Sequence, residues 1–244
     1  MNYEEALEYI HGISWTFCKP GLERISELCK ALEDPQKKLR FIHIAGTNGK
    51  GSTSAMLESI LREAGYKTGL FTSPYIRTFN ERMRVGGENI SDSELAEITE
   101  YVRPFADAMT DKPTEFELIS AIAFEYFKRN NCDIVVLEAG MGGRLDSTNV
   151  IEESLLSIIT GIALDHTAFL GDTVEKIAAE KAGIIKPYTP VIIGEAMPDT
   201  RKVFEEKALQ EKAPIIFAQE SDVLHTAIHT RQGIEYTTAD YGTF

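Results

Sequence analysis

The stretch His43-Ile44-Ala45-Gly46-Thr47-Asn48-Gly49-Lys50-Gly51-Ser52 sets glycines, a lysine and a hydroxyl in the order that binds phosphate. An apolar run of strand character, residues 41–45, enters the glycine-rich turn, and Ala55-Met56-Leu57-Glu58-Ser59-Ile60-Leu61 reads as a helix behind it. Glycines let consecutive backbone N–H groups turn inward, the helix start adds partial positive charge, and a lysine reaches the outer phosphates. A hydroxyl after the lysine can hold Mg²⁺. The match to G-x-x-x-x-G-K-[ST] is imperfect: the first glycine falls at Ile44, and Gly51 stands between Lys50 and Ser52. A plain glycine turn between strand and helix is the bland alternative. The strand–loop–helix order favours a phosphate cradle.

Other polar residues stand where strands are expected to end. Cys132-Asp133-Ile134-Val135-Val136-Leu137-Glu138 is nearly all apolar until Glu138, which then falls at the strand edge where open α/β sheets place their ligands. A carboxylate there suits a Mg²⁺ ligand, against the reading of a solvated strand cap. Next comes Ala139-Gly140-Met141-Gly142-Gly143-Arg144-Leu145-Asp146-Ser147-Thr148-Asn149, whose polar set reads as a substrate loop. Asp165-His166 follows another strand-like run, and a neutral imidazole there can join oxygen ligands around a second divalent ion. By composition alone, Lys181 is explained by the dipole at a helix carboxyl end, and Ser73 by a turn before Pro74.

The elements that must position these residues alternate. Helical periodicity covers residues 3–10 and 22–32, with Asp34-Pro35 ending the second. Strands are expected at 41–45, 67–73, 132–138, 154–159, 190–193 and 213–217. Helices are expected at 54–64, at 91–102 behind the Ser91/Glu94 capping box, at 113–128, at 173–182 and at 199–212. A short hairpin is expected around Gly86-Gly87, and antiparallel strands at 224–230 and 234–238. The fold class is therefore α/β: a doubly wound, mostly parallel sheet with a phosphate loop, plus a few antiparallel strands near the C-terminus.

Composition bounds the partners. With 244 residues, 43% hydrophobic and 26% charged, the chain has the make-up of a soluble globular protein with one large domain. A net charge of −13 argues against nucleic acid, which needs clustered Lys and Arg. Three cysteines, Cys18, Cys29 and Cys132, lack C-x-x-C spacing and fit reduced thiols. The N-terminus is acidic, unlike a signal peptide, and no run approaches the ~18 apolar residues of a membrane span. A cytoplasmic location is expected.

Together these segments resemble the folylpolyglutamate synthase / dihydrofolate synthase family of the Mur ligase superfamily. The resemblance rests on the phosphate-loop segment, Phe71-Thr72-Ser73-Pro74, Asn80-Glu81-Arg82, Thr114-Glu115-Phe116-Glu117, residues 138–149, Leu164-Asp165-His166 and Glu180-Lys181-Ala182-Gly183-Ile184-Ile185-Lys186. It accounts for both departures from the general phosphate-loop pattern. The resemblance implies ATP-dependent amide formation, in which dihydropteroate or a folate carboxylate becomes an acyl phosphate that L-glutamate attacks. Gly46, Thr47, Asn48, Gly49, Lys50, Gly51 and Ser52 then cradle ATP, and Lys50 reaches its outer phosphates. Ser52, Ser73, Glu138, His166 and Lys181 hold two Mg²⁺ ions, with Lys181 carried as N6-carboxylysine. Lys50, Lys181 and His166 serve catalysis. The acceptor site takes in Arg82, Thr114, Glu115, Phe116, Glu117, Leu145, Asp146 and Ser147, with Phe116 stacked on a pterin ring and a carboxylate accepting its amino hydrogens.

The resemblance further implies a monomer in full-length form, and a second, Rossmann-like domain that brings an arginine and an aspartate to the nucleotide and helps bind glutamate. Residues 1–244 correspond to the amino-terminal ATP-binding portion, truncated before that domain. Weak nucleotide binding and little turnover are expected of it alone. The alternatives are a UDP-sugar-peptide ligase of cell-wall synthesis and a non-catalytic nucleotide-binding module. Against the first stand Lys50-Gly51-Ser52 and Phe71-Thr72-Ser73-Pro74.

Overall fold

The computed structural model describes residues 1–13, 20–165 and 170–220, together with the backbone of 224–230 and 233–238. Helices α1 (Tyr3–His11) and α2 (Glu23–Ala31) precede β1 (Phe41–Ala45), α3 (Lys50–Glu63) and β2 (Thr68–Phe71). Then come β3 (Met83–Val85), β4 (Glu88–Asn89), α4 (Asp92–Ala108), α5 (Glu115–Arg129), β5 (Ile134–Glu138) and β6 (Leu156–Ile159). Helix α6 (Val174–Ala182), β7 (Val191–Ile193), α7 (Pro198–Glu211), β8 (Ile215–Phe217) and the antiparallel pair β9 (Leu224–Thr230) and β10 (Gly233–Thr238) complete the order.

Eight strands form one sheet in the order β4-β3-β2-β5-β1-β6-β7-β8. From β2 to β8 every pairing is parallel, and the β3–β4 hairpin adds antiparallel strands at one edge. The hairpin turns at Gly86 and Gly87, both at positive φ, as the glycine pair predicts. The order in which strands are added reverses around β1. Its loop leads through α3 to β2 on one side, while β6 pairs on the other, which opens a crevice at the carboxyl ends of the central strands.

Alternation within the strands sorts the core. Ile42 and Ile44 of β1, with Ile134 and Val136 of β5, pack in the layer that includes Leu57 and Leu61 of α3. Phe41, Val135 and Leu137 point the other way, into the larger layer with Leu118, Ile122 and Phe124 of α5. Glu138 shares the parity of Ile134 and Val136, so it is directed toward α3. His43 shares that of Phe41 and is directed away.

Capping boxes open α1 at Asn2/Glu5, α4 at Ser91/Glu94 and α5 at Thr114/Glu117. Helix α4 runs past its expected end near residue 102, through Pro104, to Ala108. Val102 and Ala106 are buried on one face, and that burial offsets the hydrogen bond the proline cannot make. No helix among the described residues is long and apolar enough to cross a membrane.

Candidate functional site

The loop after β1 is held open by glycine and threonine. Gly46 adopts φ +152, and a Cβ there would meet Thr160 Oγ1 at 1.8 Å. Thr160, just past β6, donates its amide to Ala45 O at 2.9 Å and its hydroxyl to Asn48 O at 2.7 Å. Thr47 donates its amide to Gly161 O at 2.8 Å, and its hydroxyl accepts the Ala163 amide at 3.1 Å. Gly49, at φ +82, is the N-cap of α3 and offers no side-chain cap, so amides of the first turn remain available to an anion.

Three charged side chains meet this loop. Lys50 Nζ is 3.4 Å from Thr47 O. Lys181, 3% exposed at the end of α6, donates to Gly46 O at 2.8 Å. Glu138, also 3% exposed, accepts the Ser73 amide at 3.4 Å, and a Cβ on Gly51 would stand 3.6 Å from its Oε2. Burial pushes the Glu138 carboxyl up to about 7, while Lys50 pulls the other way. Burial, then repulsion from Lys50, brings the Lys181 amine down to about 8. A buried carboxylate reluctant to ionise and lysines that repel each other suit a metal cation and a polyphosphate, each supplying the missing charge.

The loop after β5 is folded on itself. Asp146 is buried and accepts the amides of Met141 at 2.8 Å and Thr148 at 3.0 Å, together with the Thr148 hydroxyl. Burial raises the Asp146 pKa, and those hydrogen bonds oppose the rise. Asn149 Nδ2 donates to Arg144 O and Gly183 O, both at 3.1 Å, and Arg144 N donates to Glu180 O at 2.7 Å. These bonds pin the loop to the end of α6 that carries Lys181. Gly140 lies against Phe116, where a Cβ would meet the ring at 2.5 Å.

Of the carboxylates expected at the acceptor site, two are engaged internally. Glu117 Oε2 accepts the Thr114 amide at 2.6 Å and Arg24 Nε at 3.0 Å, so helix capping and an ion pair share that one oxygen. Asp146 is bonded by its own loop, its Oδ1 taking two hydrogen bonds from Thr148 and its Oδ2 one from Met141. Glu115 remains partly open and bonds His11 Nδ1 at 3.0 Å. Leu145 is partly exposed and Ser147 is buried. The Arg82 guanidinium packs on Tyr75 and Phe79, 5.2 and 5.5 Å from their centroids. Its Nε and Nη1 are buried and have no partner among the described residues. Ser52 is exposed at the start of α3. His166 and Cys18 lie outside the described residues. Cys29 and Cys132 are buried thiols, with burial pushing their pKa values up to about 12 and about 11.

The model of the Mur ligase middle domain matches residues 44–242. The chain belongs to that family. This Mur ligase middle domain is 47% identical over 217 residues to a dihydrofolate synthase/folylpolyglutamate synthase of Bacillus subtilis, covering 87% of this chain and 50% of the relative. The apo form of L. casei FPGS superposes with a TM-score of 0.92 at 36% identity, over 97% of this chain and 58% of that one. An FPGS–AMPPCP–folate complex does so with a TM-score of 0.92 at 37% identity, over 97% and 58%. These likenesses set the Mur ligase middle domain in the folylpolyglutamate synthase branch. The chain spans about half the length of the curated relatives it matches.

In this Mur ligase middle domain the sequence reading missed Thr160, which closes the phosphate loop from the neighbouring strand. A threonine at a strand end carries no motif. The signal that finds it is the parallel pairing of β1 with β6. It also missed Asn149 as the strut between the β5 loop and α6.

Proposed function

We propose that this chain provides the ATP- and acceptor-binding machinery of a ligase that joins L-glutamate to a folate or to dihydropteroate. The acceptor carboxylate attacks the terminal phosphorus of ATP and ADP departs. The glutamate amine then attacks the acyl carbon and phosphate leaves. A carboxylate is a poor acyl donor, and phosphorylation gives it a leaving group. Residues 46–52 hold the phosphates, with Lys50 on the outer ones.

Ser52, Ser73, Glu138 and Lys181, with His166, would hold Mg²⁺, which when bound screens the phosphate oxygens from the incoming carboxylate. The lowered pKa of Lys181, about 8, raises the share of neutral amine, whose nitrogen can add to CO2 and release a proton, leaving a carbamate. Phe116 and Gly140 form a wall for a flat ring, with Glu115 and Arg82 as polar partners. A second domain would bring glutamate. The same reading expects a monomeric, cytoplasmic protein.

The observation that carries this reading is the convergence of Lys50, Lys181 and Glu138 on an uncapped helix start, beside a loop braced to α6. Support also comes from relatives that are folylpolyglutamate and dihydrofolate synthases by name. The test is calorimetric titration of the chain with dihydropteroate, tetrahydrofolate and a UDP-sugar peptide, each with Mg²⁺ and a non-hydrolysable ATP analogue. Binding of a pterin ligand and not of the UDP-sugar peptide is expected. The reverse pattern overturns the reading.

A further inference from the structure

His43 lies within β1, fully enclosed, on the strand face opposite α3, and the chemistry above makes no use of it. Its Nε2 is 2.9 Å from the Thr148 hydroxyl, which also bonds Asp146 Oδ1. Thr148 gives its hydroxyl proton to Asp146 Oδ1, so toward His43 it can only accept. The imidazole is thereby fixed as the Nε2–H tautomer. Nδ1 has no partner among the described residues, and in this tautomer it is a bare acceptor rather than a stranded N–H. The direction of the chain is set from one end to the other: His43 to Thr148 to Asp146.

Asp146 is also the group that curls the β5 loop, through the amides of Met141 and Thr148. The opposite side of that loop is braced to α6 by Asn149. We propose that His43 is a positioning residue: through Thr148 it holds Asp146, and so sets the shape of the loop against which the acceptor's flat ring is bound. The acceptor's identity rests on the function proposed above, whereas the relay does not. An apolar residue at 43 fills the space but leaves the Thr148 hydroxyl without a donor. The hydroxyl then keeps one partner in place of two, and its bond to Asp146 loses the polarisation that the imidazole donor supplied.

The test combines NMR and hydrogen exchange on the whole chain. Long-range ¹H–¹⁵N correlation at neutral pH is expected to show His43 protonated at Nε2 and bare at Nδ1; an Nδ1–H tautomer or an imidazolium overturns the relay. Loss of a charge-assisted bond in Thr148→Val is expected to speed Met141 amide exchange more than about tenfold and to leave α7 unchanged. Thr148→Ser restores protection, His43→Gln keeps it, and His43→Leu loses part of it. Unchanged Met141 exchange in Thr148→Val, or a uniform rise across the chain, contradicts the proposal. If Thr148→Val does not fold, the tautomer and the His43→Gln and His43→Leu pair still decide it.

Dihydropteroate affinity is expected to fall with Met141 protection while affinity for the ATP analogue holds. Loss of both affinities together contradicts a positioning role confined to the acceptor loop. If the unaltered chain binds no pterin but Met141 responds as expected, the relay stands and the acceptor assignment fails.

Discussion

The ammonium of Lys181 donates to the carbonyl of Gly46 across 2.8 Å, joining the end of α6 to the first turn of the phosphate loop. Helix α6 is also where Asn149 and Arg144 brace the β5 loop. One helix end therefore touches both the loop after β1 and the loop after β5. That arrangement fits a reaction in which a phosphate and a carboxylate must meet in line.

Replacing Gly46 with alanine tests how tightly that turn is packed. The new Cβ meets Thr160 Oγ1 at 1.8 Å from a backbone at φ +152. The expected cost is about 2 kcal/mol or more in urea unfolding, with nucleotide binding lost. An unchanged midpoint would show that the turn relaxes freely.

Lys181 is expected to carry CO2. Native mass spectrometry in bicarbonate buffer should show one carbamate adduct that acid removes and that Lys181→Met lacks. An adduct persisting in Lys181→Met assigns it to another amine.

Gly140→Ala separates the two ligands. Its Cβ would meet the Phe116 ring at 2.5 Å, so the ring must move. Pterin affinity is expected to fall roughly tenfold, the scale of overpacking a tight contact, with binding of the ATP analogue unaltered. Equal loss of both ligands would contradict a separate acceptor wall.

Lys186 gives a pH signature. Its Nζ donates to Ile151 O at 2.6 Å, and burial brings its pKa down to about 8 from 10.5. The folded chain sheds this proton before the unfolded chain does, so the unfolded state binds more protons between pH 8 and 10.5. The contribution of Lys186 to stability therefore rises across that window, by at most about 3 kcal/mol. Urea titrations of the unaltered chain and of Lys186→Met should diverge in that direction. Parallel curves would contradict it.

The phosphate loop and Glu138 were legible because each lies in one short segment whose apolar run fixes where the next polar residue goes. Glu138 faces α3 by strand parity alone, and a capping box marks the start of α4 in four residues. Thr160 was not legible, because its bonds to Ala45 and Asn48 exist only once β6 lies beside β1. The bonds of Asp146 were hidden for a related reason: an aspartate in a glycine loop carries no sign that the loop's own amides reach it. The end of α4 was missed because tertiary burial of Val102 and Ala106 outweighs the helix-breaking tendency of Pro104.

The central claim is that residues 46–52, with Lys50, bind the phosphates of ATP. Calorimetric titration of the chain and of Lys50→Ala with a non-hydrolysable ATP analogue and Mg²⁺ tests it most directly. Loss of charged hydrogen bonds predicts an affinity at least about tenfold weaker in Lys50→Ala, with the urea midpoint unchanged. Equal affinity in both proteins would contradict the account.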